Sequence, residues 1–247
     1  MTDDGLAATE TVLTEALDGV PGPLREPCRR VASAGGDRLP ARLVLAVAGR
    51  AWPGTSRRTA TAAASVELLH LALLVHDDLR DDAPVRRAVP TINAEEGTGF
   101  AVLAGDLLIG LSHRLAAAAG AGPLLGDALT AVCLGQALEL EADNLRVAEL
   151  RTGTMLATAC LLGAIVTGTP EDGLREFGLA FGTAVHLLDD ALALPKESAA
   201  DVPATLRTVD DLVARAATAR PELATLARRY RDSRLALLPR YPSVLSS

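Results

Sequence analysis

Two groups of aspartates lie about a hundred residues apart, each inside an apolar run of helical length. The first is Asp77, Asp78 and Asp81 in the stretch HDDLRDD, and the second is Asp189-Asp190 in HLLDDALAL. Long apolar runs are buried in folded proteins, and a buried carboxylate is costly unless a cation compensates it. We therefore expect both groups to lie deep in a helical protein, with a multivalent cation as their counter-charge.

Composition predicts the class of fold. Of the 247 residues, 49% are hydrophobic, and alanine and leucine outnumber the β-branched types, which favours helices over sheet. Glycine and proline divide the apolar segments without leaving a domain linker, so we predict an all-α protein whose residues 1–247 form one large helical bundle. The predicted helices lie near residues 8–19, 24–34, 39–51, 59–82, 98–118, 124–149, 153–168, 171–194, 205–218 and 221–237.

Charge, cysteines and hydropathy exclude several classes of protein. The net charge is −7 with no basic tract, which argues against a nucleic-acid partner. The cysteines Cys28, Cys133 and Cys160 form no CxxC pair, so we expect neither a disulfide framework nor a zinc site, and a reduced, cytoplasmic protein. The first ten residues lack the features of a signal peptide. The longest uncharged run, residues 152–170, lacks membrane flanks, so a buried helix and no stable membrane insertion are expected.

Helical spacing places the first group of charges on one face. Asp81 lies four residues after Asp77 and three after Asp78, so the three carboxylates share a side of the helix. Mg²⁺ is the cation that fits best, because it takes few carboxylate ligands and completes its shell with water and phosphate oxygens. The pair Arg86-Arg87, which follows within a few residues, suits an anionic substrate.

A histidine accompanies each group of aspartates. His70 lies two helical turns before Asp77, and His186 lies four residues before Asp190. If the two helices face each other across a cavity, their carboxylates form opposed walls around a bound anion. An acidic run or an arginine pair alone is more often a solvated surface feature, but their co-occurrence with apolar flanks favours a metal–diphosphate site.

These motifs resemble those of the trans-isoprenyl diphosphate synthases, also called polyprenyl synthetases. The resemblance is strongest in residues 67–106, ELLHLALLVHDDLRDDAPVRRAVPTINAEEGTGFAVLAGD, and extends over roughly residues 30 to 195. The matching family motifs are DDxxD at Asp77, Asp78 and Asp81, the arginine pair at Arg86 and Arg87, PT at Pro90-Thr91, AGD at Ala104-Gly105-Asp106, GQ at Gly135-Gln136, the TG of KTG at Thr152-Gly153, and the second aspartate motif at Asp189-Asp190.

The resemblance implies an isoprenoid-synthase bundle around a central apolar cavity, usually as a homodimer. It also implies a prenyltransferase in which Mg²⁺ and arginine promote ionisation of an allylic diphosphate, and isopentenyl diphosphate traps the cation. The implied catalytic residues are Asp77, Asp78, Asp81, Arg86, Asp189 and Asp190, and the implied metal ligands are Asp77, Asp78, Asp81 and Asp189. The implied substrate-binding residues are Arg38, His70, Arg86, Arg87, Gln136, Arg151, Thr152, His186 and Lys196. Ala72 and Leu73 match the tunnel floor, and neither would block a long chain.

The departures from the family pattern fall mainly on the site for isopentenyl diphosphate. The family's GGKRLRP is GGDRLPA here, with Asp37 in place of lysine and Pro40 in place of arginine. A carboxylate facing a diphosphate repels it by a few kcal/mol at intermediate dielectric. In the second half, Arg151 replaces the lysine of KTG and Ala193 the third aspartate of the second motif, and Lys196 is the remaining cation of a shortened segment. The allylic site therefore resembles the family more closely than the second-substrate site does.

Three hypotheses about function follow. The first is a prenyltransferase that uses isopentenyl diphosphate or a different acceptor. The second is a class I terpene cyclase-like enzyme, which needs metal and ionisation but no second diphosphate. The third is a non-catalytic partner subunit of an active synthase. Six aromatic residues offer few π-faces to steer a cyclising cation, and the retained aspartates and arginines argue against an inert subunit, so the first is preferred.

Overall fold

The computed structural model describes residues 3–51, 56–139, 144–193 and 202–237. Within them it has twelve α-helices and one hairpin of two-residue strands, so the prediction of an all-α protein is confirmed. The chain divides into two compact units: Met1–Asp127 with Leu162–Pro170, and Ala128–Leu161 with Glu171–Ser247. Each unit is described by itself below, and the single domain over residues 1–247 stays a prediction.

The helices carry the labels α1 to α12 and the strands β1 and β2 in chain order. The helices are α1 Asp3–Asp18, α2 Arg25–Ser33, α3 Leu39–Ala51, α4 Arg57–Arg80, α5 Ile92–Glu95, α6 Thr98–Ala119, α7 Gly122–Leu138, α8 Asn144–Ala148, α9 Thr154–Thr167, α10 Leu174–Ala193, α11 Val202–Ala219 and α12 Ala224–Leu235. The strands are β1 Val85–Arg86 and β2 Val89–Pro90. Single 3₁₀ turns at Gly22–Leu24 and Pro221–Leu223 and a π-helical turn at Glu149–Gly153 join neighbouring helices.

Most predicted helices agree with the observed ones to within a few residues. Two features were not predicted: the β1–β2 hairpin and the single-turn helix α5, which Thr91 caps by accepting a hydrogen bond from the Ala94 amide at 3.4 Å. The helix predicted over residues 124–149 was too long, because α7 ends at Leu138 and α8 is separate. Its residues 140–143 lie outside the described part of the chain.

The core of the first unit is built around α4. Ser56 caps its first turn by accepting a hydrogen bond from the Thr59 amide at 3.1 Å. Residues 62–69 are all buried, because α1, α3 and α6 pack on different sides of the helix. Residues 62–64 are alanines and residue 65 is a serine, so the neighbouring backbones can approach this part of the helix closely. A long buried helix of this kind is what carries the first aspartates to their position at its end.

The second unit centres on α10, which packs against α11 and the π-helical turn. Two glycines of α10 make this close approach possible. A side chain at Gly178 would overlap the backbone of Ala157, and one at Gly182 would overlap that of Thr152. On the other side of α10, Phe181 packs edge-on against Tyr230 of α12, with ring centroids 5.7 Å apart.

Three helical segments are long and apolar enough to cross a membrane by length and composition: Arg57–Arg80, Thr98–Ala119 and Asn144–Thr167. The most apolar windows of the first and third are mostly buried within the protein, whereas only 39% of that of α6 is buried. Val102 and Leu103 of α6 are 40% and 55% exposed.

Candidate active site

The first aspartates lie where α4 ends. Asp81 is the C-cap, and Asp82 after it has a φ of 48°, in the left-handed region. The amide of Asp82 donates to the Leu79 carbonyl at 3.4 Å, and that of Ala83 donates to the Asp78 carbonyl at 2.9 Å. These two bonds form a Schellman motif, which stops the helix and turns the chain back toward it.

The same end of α4 is electrostatically unfavourable for carboxylates. The carbonyl end of a helix carries partial negative charge, yet four aspartates occur within its last turn and the residues after it. Arginines supply part of the compensation. Arg80 lies between two of the carboxylates, with nitrogens 3.6 Å from Asp77 and 3.0 Å from Asp81. Asp77 and Asp78 are buried as predicted, whereas the Asp81 side chain is 52% exposed.

The β1–β2 hairpin places Arg86 against the end of the helix. Its two-residue turn consists of Arg87 and Ala88, both with positive φ, at 50° and 63°. Two positive values are the mark of a type I′ turn, which glycine and asparagine usually occupy. The strain of order 1–3 kcal/mol per residue is typical of functional sites. Arg86 Nε donates to Asp78 Oδ1 at 2.5 Å, so the predicted arginine and aspartate are brought together.

Burial and charge act in opposite directions on Asp78. Burial raises the pKa of this carboxyl above its ordinary value, and the negative charges of Asp77 and Asp81 raise it further. The hydrogen bond and positive charge of Arg86 act against both effects. A carboxylate held this way gains strongly from an additional cation, because the cation offsets both the desolvation and the neighbouring charges.

His70 lies on the same helix among cations. Burial lowers the pKa of His70 from 6.5 to about 4, and the positive charges of Arg87, Arg86 and Arg38 lower it further in the same direction. The imidazole is therefore neutral at physiological pH and offers both a hydrogen-bond donor and an acceptor. Three guanidinium groups and a neutral ring gathered in one place are suited to an anion.

The glycine-rich turn before α3 supplies the third of these arginines. Arg38 has a φ of 51°, and its guanidinium is held by Glu10 at 2.8 Å, by Glu67 at 3.4 Å and by the carbonyl of Ala32 at 2.6 Å. Arg87 donates to the carbonyl of Gly35. A side chain at the next glycine of the turn would overlap the Arg87 guanidinium. The turn and the hairpin therefore pack together around the two arginines.

The AGD motif has a packing explanation in this chain. A side chain at Gly105 would overlap the ring of His76, so only glycine allows α6 to approach α4 at that point. Asp106 then lies with its Oδ1 3.8 Å from His76 Nε2. This contact links α4, which carries the first aspartates, to the AGD motif on α6.

The second pair of aspartates has different surroundings from those predicted. Asp189 and Asp190 lie in the last turns of α10, and their side chains are 49% and 58% exposed, so the expectation that they lie deep in the protein was wrong. The buried face of α10 is formed instead by Leu187, Leu188 and Ala191. Because these apolar residues flank the pair on a helix, they point inward while the aspartates point outward.

Each of these aspartates contacts a side chain of its own unit. Asp189 lies 3.5 Å from Nε of Arg234, a residue of α12. Arg234 is in turn oriented by the hydroxyl of Tyr230, 3.0 Å from the same Nε. Asp190 lies 3.5 Å from Nε2 of His186, one turn earlier on α10.

The remaining predicted residues of the second unit meet at the π-helical turn. Thr152 Oγ1 and His186 Nδ1 are within hydrogen-bond distance at 2.9 Å, so these two predicted residues are brought together. Arg151 forms an ion pair with Glu139. Gln136, on α7, is partly buried. Lys196 lies outside the described residues.

The donor set at the end of α4 is compatible with Mg²⁺. Within the described ranges, no three His, Cys, Asp or Glu side chains converge as a preformed metal site. Mg²⁺ does not need one, because it is usually bound by one or two carboxylates together with waters and substrate phosphates. Asp77 and Asp81 present hard oxygen ligands on the two sides of Arg80, at a helix end that favours positive charge.

Several residues of this arrangement were not predicted from the sequence. Glu10, Glu67, Arg80 and Arg234 contact predicted site residues. Glu67 had a signal, since a lone glutamate in the apolar run VELLHLALLV must find a cation. No sequence signal marked Glu10 or Arg234. Each lies on an ordinary amphipathic helix, and its role depends on the residue that it contacts in the folded chain.

The sequence matches a known protein family. The model of the polyprenyl synthetase family matches residues 21–206. The chain belongs to this family. Its fold is that of the isoprenoid synthases. The matched segment contains both aspartate motifs, the arginine pair and the glycine-rich turn, whereas Glu10 and Arg234 lie outside it.

The relatives of this chain include prenyl diphosphate synthases. The chain is 34% identical over 204 residues to heptaprenyl diphosphate synthase component 2 of Geobacillus stearothermophilus, covering 76% of this chain and 63% of that protein. It is 31% identical to nonaprenyl diphosphate synthase of Mycobacterium tuberculosis, covering 78% and 62%. A geranyltranstransferase structure from Methanosarcina mazei aligns with a TM-score of 0.78 at 26% identity, over 94% of this chain and 98% of that one. The chain thus spans less than two thirds of the length of the Geobacillus and Mycobacterium synthases.

Proposed function

We propose that this protein is a Mg²⁺-dependent prenyltransferase that ionises an allylic diphosphate, such as geranyl, farnesyl or geranylgeranyl diphosphate. The prenyl cation is transferred to isopentenyl diphosphate or to another acceptor. The observation that carries the proposal is the grouping of Asp77, Asp78 and Asp81 at the end of α4 with Arg86 folded back onto Asp78. Membership of a family whose curated members are prenyl diphosphate synthases supports it.

The residues of the first unit have distinct roles in this proposal. Asp77 and Asp81 hold the metal, which when bound supplies positive charge to the departing diphosphate. Arg86 orients Asp78 and adds a guanidinium next to the diphosphate. His70 stays neutral and binds without adding charge. The apolar residues before Asp77 on α4 exclude water, which would otherwise capture the cation.

The second aspartates have a supporting role. Asp189 is proposed as a further metal ligand, and its present contact with Arg234 would be exchanged for the cation. Arg151, Thr152, His186, Gln136 and Lys196 are proposed to bind substrate, as the family resemblance implies.

The test is incubation of the purified chain with each allylic diphosphate and Mg²⁺, with and without isopentenyl diphosphate. Released diphosphate and organic products are both measured. We expect release that depends on Mg²⁺ and disappears in chelator. Full activity in chelator would refute the metal's role, and a cyclic hydrocarbon formed without acceptor would establish the cyclase-like alternative.

A partner subunit is the second candidate, because one relative is named component 2 of its synthase. In that case the chain alone would release no diphosphate from any of the three substrates.

Self-association is proposed as well, since Val102 and Leu103 expose apolar surface on α6. Sedimentation of the purified chain tests it, and charged substitutions at both positions should give a monomer.

A further inference from the structure

Arg234 of α12 contacts the second group of aspartates. Its Nε lies 3.5 Å from Oδ1 of Asp189, and the two side chains are 27% and 49% exposed. The segment that matches the family ends at residue 206, so the family resemblance assigns no role to α12. The role of Arg234 follows instead from what orients its guanidinium and from how firmly that group holds Asp189.

A phenol hydroxyl orients the guanidinium of Arg234. Nε and Nη2 both donate to the hydroxyl oxygen of Tyr230, at 3.0 and 2.9 Å, and the guanidinium carbon lies 5.1 Å from the centre of the ring. The ring is itself packed edge-on against Phe181. Because the hydroxyl is uncharged, this support positions the guanidinium without cancelling its positive charge.

The contact with Asp189 is longer than the ion pairs of Arg231 on the same helix. Arg231 has its Nη1 2.9 Å from Asp210 and its Nη2 2.7 Å from Asp232. The separation of 3.5 Å between Arg234 and Asp189 exceeds that of an ordinary N–H···O hydrogen bond. An ion pair of this length with a half-exposed carboxylate opens readily, because water can take the place of either partner. Asp189 can therefore accept a metal ion while Arg234 stays beside it.

The first unit has a similar pairing at its own aspartates. There Nε of Arg86 donates to Oδ1 of Asp78, and the proposed function places Arg86 next to the diphosphate. A carboxylate and an adjacent guanidinium can recognise a diphosphate together with Mg²⁺, since the carboxylate binds the metal and the guanidinium binds phosphate oxygens. The pairing of Asp189 with Arg234 suits the same kind of ligand.

We propose that Arg234 is a substrate-binding residue, whose guanidinium exchanges Asp189 for an oxygen of the diphosphate when Asp189 takes up Mg²⁺. Arg234 then offsets negative charge on the departing diphosphate, and the hydroxyl of Tyr230 keeps its side chain near the site during the exchange. The inference rests on the proposed function, in which Asp189 is a metal ligand, and it adds a residue of α12 to the site.

The experiment is calorimetric titration of inorganic diphosphate into the full chain in excess Mg²⁺, without turnover. Arg234→Gln removes the positive charge, so its dissociation constant for diphosphate should rise at least tenfold, which corresponds to about 1.4 kcal/mol. Arg234→Lys keeps the charge without the planar guanidinium and should recover part of the lost affinity. Binding of Mg²⁺ alone should not weaken in Arg234→Gln, because the arginine competes with the metal for Asp189.

Arg231→Gln is the matched control. Arg231 lies on the same helix, its side chain is also 27% exposed, and it pairs with Asp210 of α11, so this variant removes an ion pair between α12 and its neighbour. It should leave the affinity for diphosphate in Mg²⁺ unchanged. An equal loss in Arg231→Gln would overturn the inference, since loosening of α12 would then explain the effect.

Two further outcomes contradict the proposal. Arg234→Gln could bind diphosphate in Mg²⁺ as tightly as wild type, or more tightly because Arg234 only blocks Asp189. If Arg234→Gln melts below the assay temperature, Tyr230→Phe carries the test, since it keeps the ring and removes the hydroxyl that orients Arg234. This variant should bind diphosphate more weakly and Mg²⁺ alone as well as wild type does. A wild type that binds no diphosphate in Mg²⁺ would refute the proposed function together with the inference, so the two failures are distinguishable.

Discussion

The aspartates at the end of α4 and those at the end of α10 share an Asp-Asp pair but have different surroundings. Asp77 and Asp78 are buried, and Asp78 is bonded by Arg86 of the hairpin that follows it. Asp189 and Asp190 are about half exposed and contact Arg234 and His186 of their own unit. Both pairs lie at the carbonyl end of a helix, where carboxylates are unfavourable.

The difference shows two ways in which a protein compensates carboxylates at the carbonyl end of a helix. In the first unit the compensating arginine, Arg86, lies on β1 directly before a strained two-residue turn, and the carboxylate is desolvated. In the second unit the two carboxylates are about half exposed, so water compensates their charge together with Arg234, which contacts Asp189. We therefore expect the first group to dominate both catalysis and stability, and the following predictions test that ranking.

The largest effect should come from neutralising the first group. Asp77→Asn or Asp81→Asn should lower Mg²⁺-dependent diphosphate release by about a hundred- to a thousandfold, the range typical of losing one charge-stabilising group. The fold should be retained, as judged by circular dichroism. Asp82→Asn is the matched control, because asparagine tolerates the positive φ of that position. Comparable loss in Asp82→Asn would contradict the assignment of Asp77 and Asp81.

Neutralising the second group should have a smaller effect. Asp189→Asn should slow release by about tenfold or more, equivalent to 1.4 kcal/mol in the barrier. Diphosphate with Mg²⁺ should also raise the melting temperature of wild type more than that of the variant. Asp210→Asn, which removes another exposed ion pair of the second unit, is the control. Equal stabilisation of wild type and Asp189→Asn would mean that Asp189 does not hold the metal.

In the first of the two regions, His70 should contribute to the dependence of stability on pH. The pKa of His70 is lowered from 6.5 to about 4, so the unfolded chain takes up this proton first as pH falls. The stability associated with neutral His70 is fully present above pH 6.5 and is lost between pH 6.5 and 4. His70→Gln should reduce that acid-induced loss by about 1–3 kcal/mol.

Urea denaturation at pH 7 and pH 4.5 measures this effect. His113→Gln is the control, since His113 lies on α6 and bonds the carbonyl of Ile109 in its own helix. A loss of stability on acidification that is the same in wild type and His70→Gln would show that burial and the surrounding arginines do not lower the pKa of His70.

The smallest predicted effects are the losses of unfolding free energy when either of the two arginine contacts is removed. Arg86→Gln leaves the buried Asp78 without its guanidinium and should cost about 1–3 kcal/mol of unfolding free energy. Arg234→Gln removes a partner of the half-exposed Asp189 and should cost less than about 1 kcal/mol. Urea denaturation of both variants gives the comparison. A larger loss in Arg234→Gln would reverse the ranking of the two regions.

Local sequence signals were sufficient for most of the helices. Glycine, proline and capping residues act over a few positions, so helix ends such as Leu39 and Thr98 were predicted closely. The hairpin was missed because its turn consists of Arg87 and Ala88, which carry none of the usual signals for positive φ. The sequence singled out Arg86 and Asp78 as site residues, but their contact with each other was found only in the structure.

What the sequence by itself determined is the family and the all-α fold, because the aspartates and the arginine pair occur at the spacings of the polyprenyl synthetases. The tertiary structure decided which of those groups are buried and which contact the chain itself. Asp189 is exposed because the apolar residues beside it take the inner face of α10, and Arg38 is occupied because Glu10 meets it from a distant helix. Helical periodicity fixes which residues share a face, but burial and ion pairing depend on the neighbouring helix that the face meets.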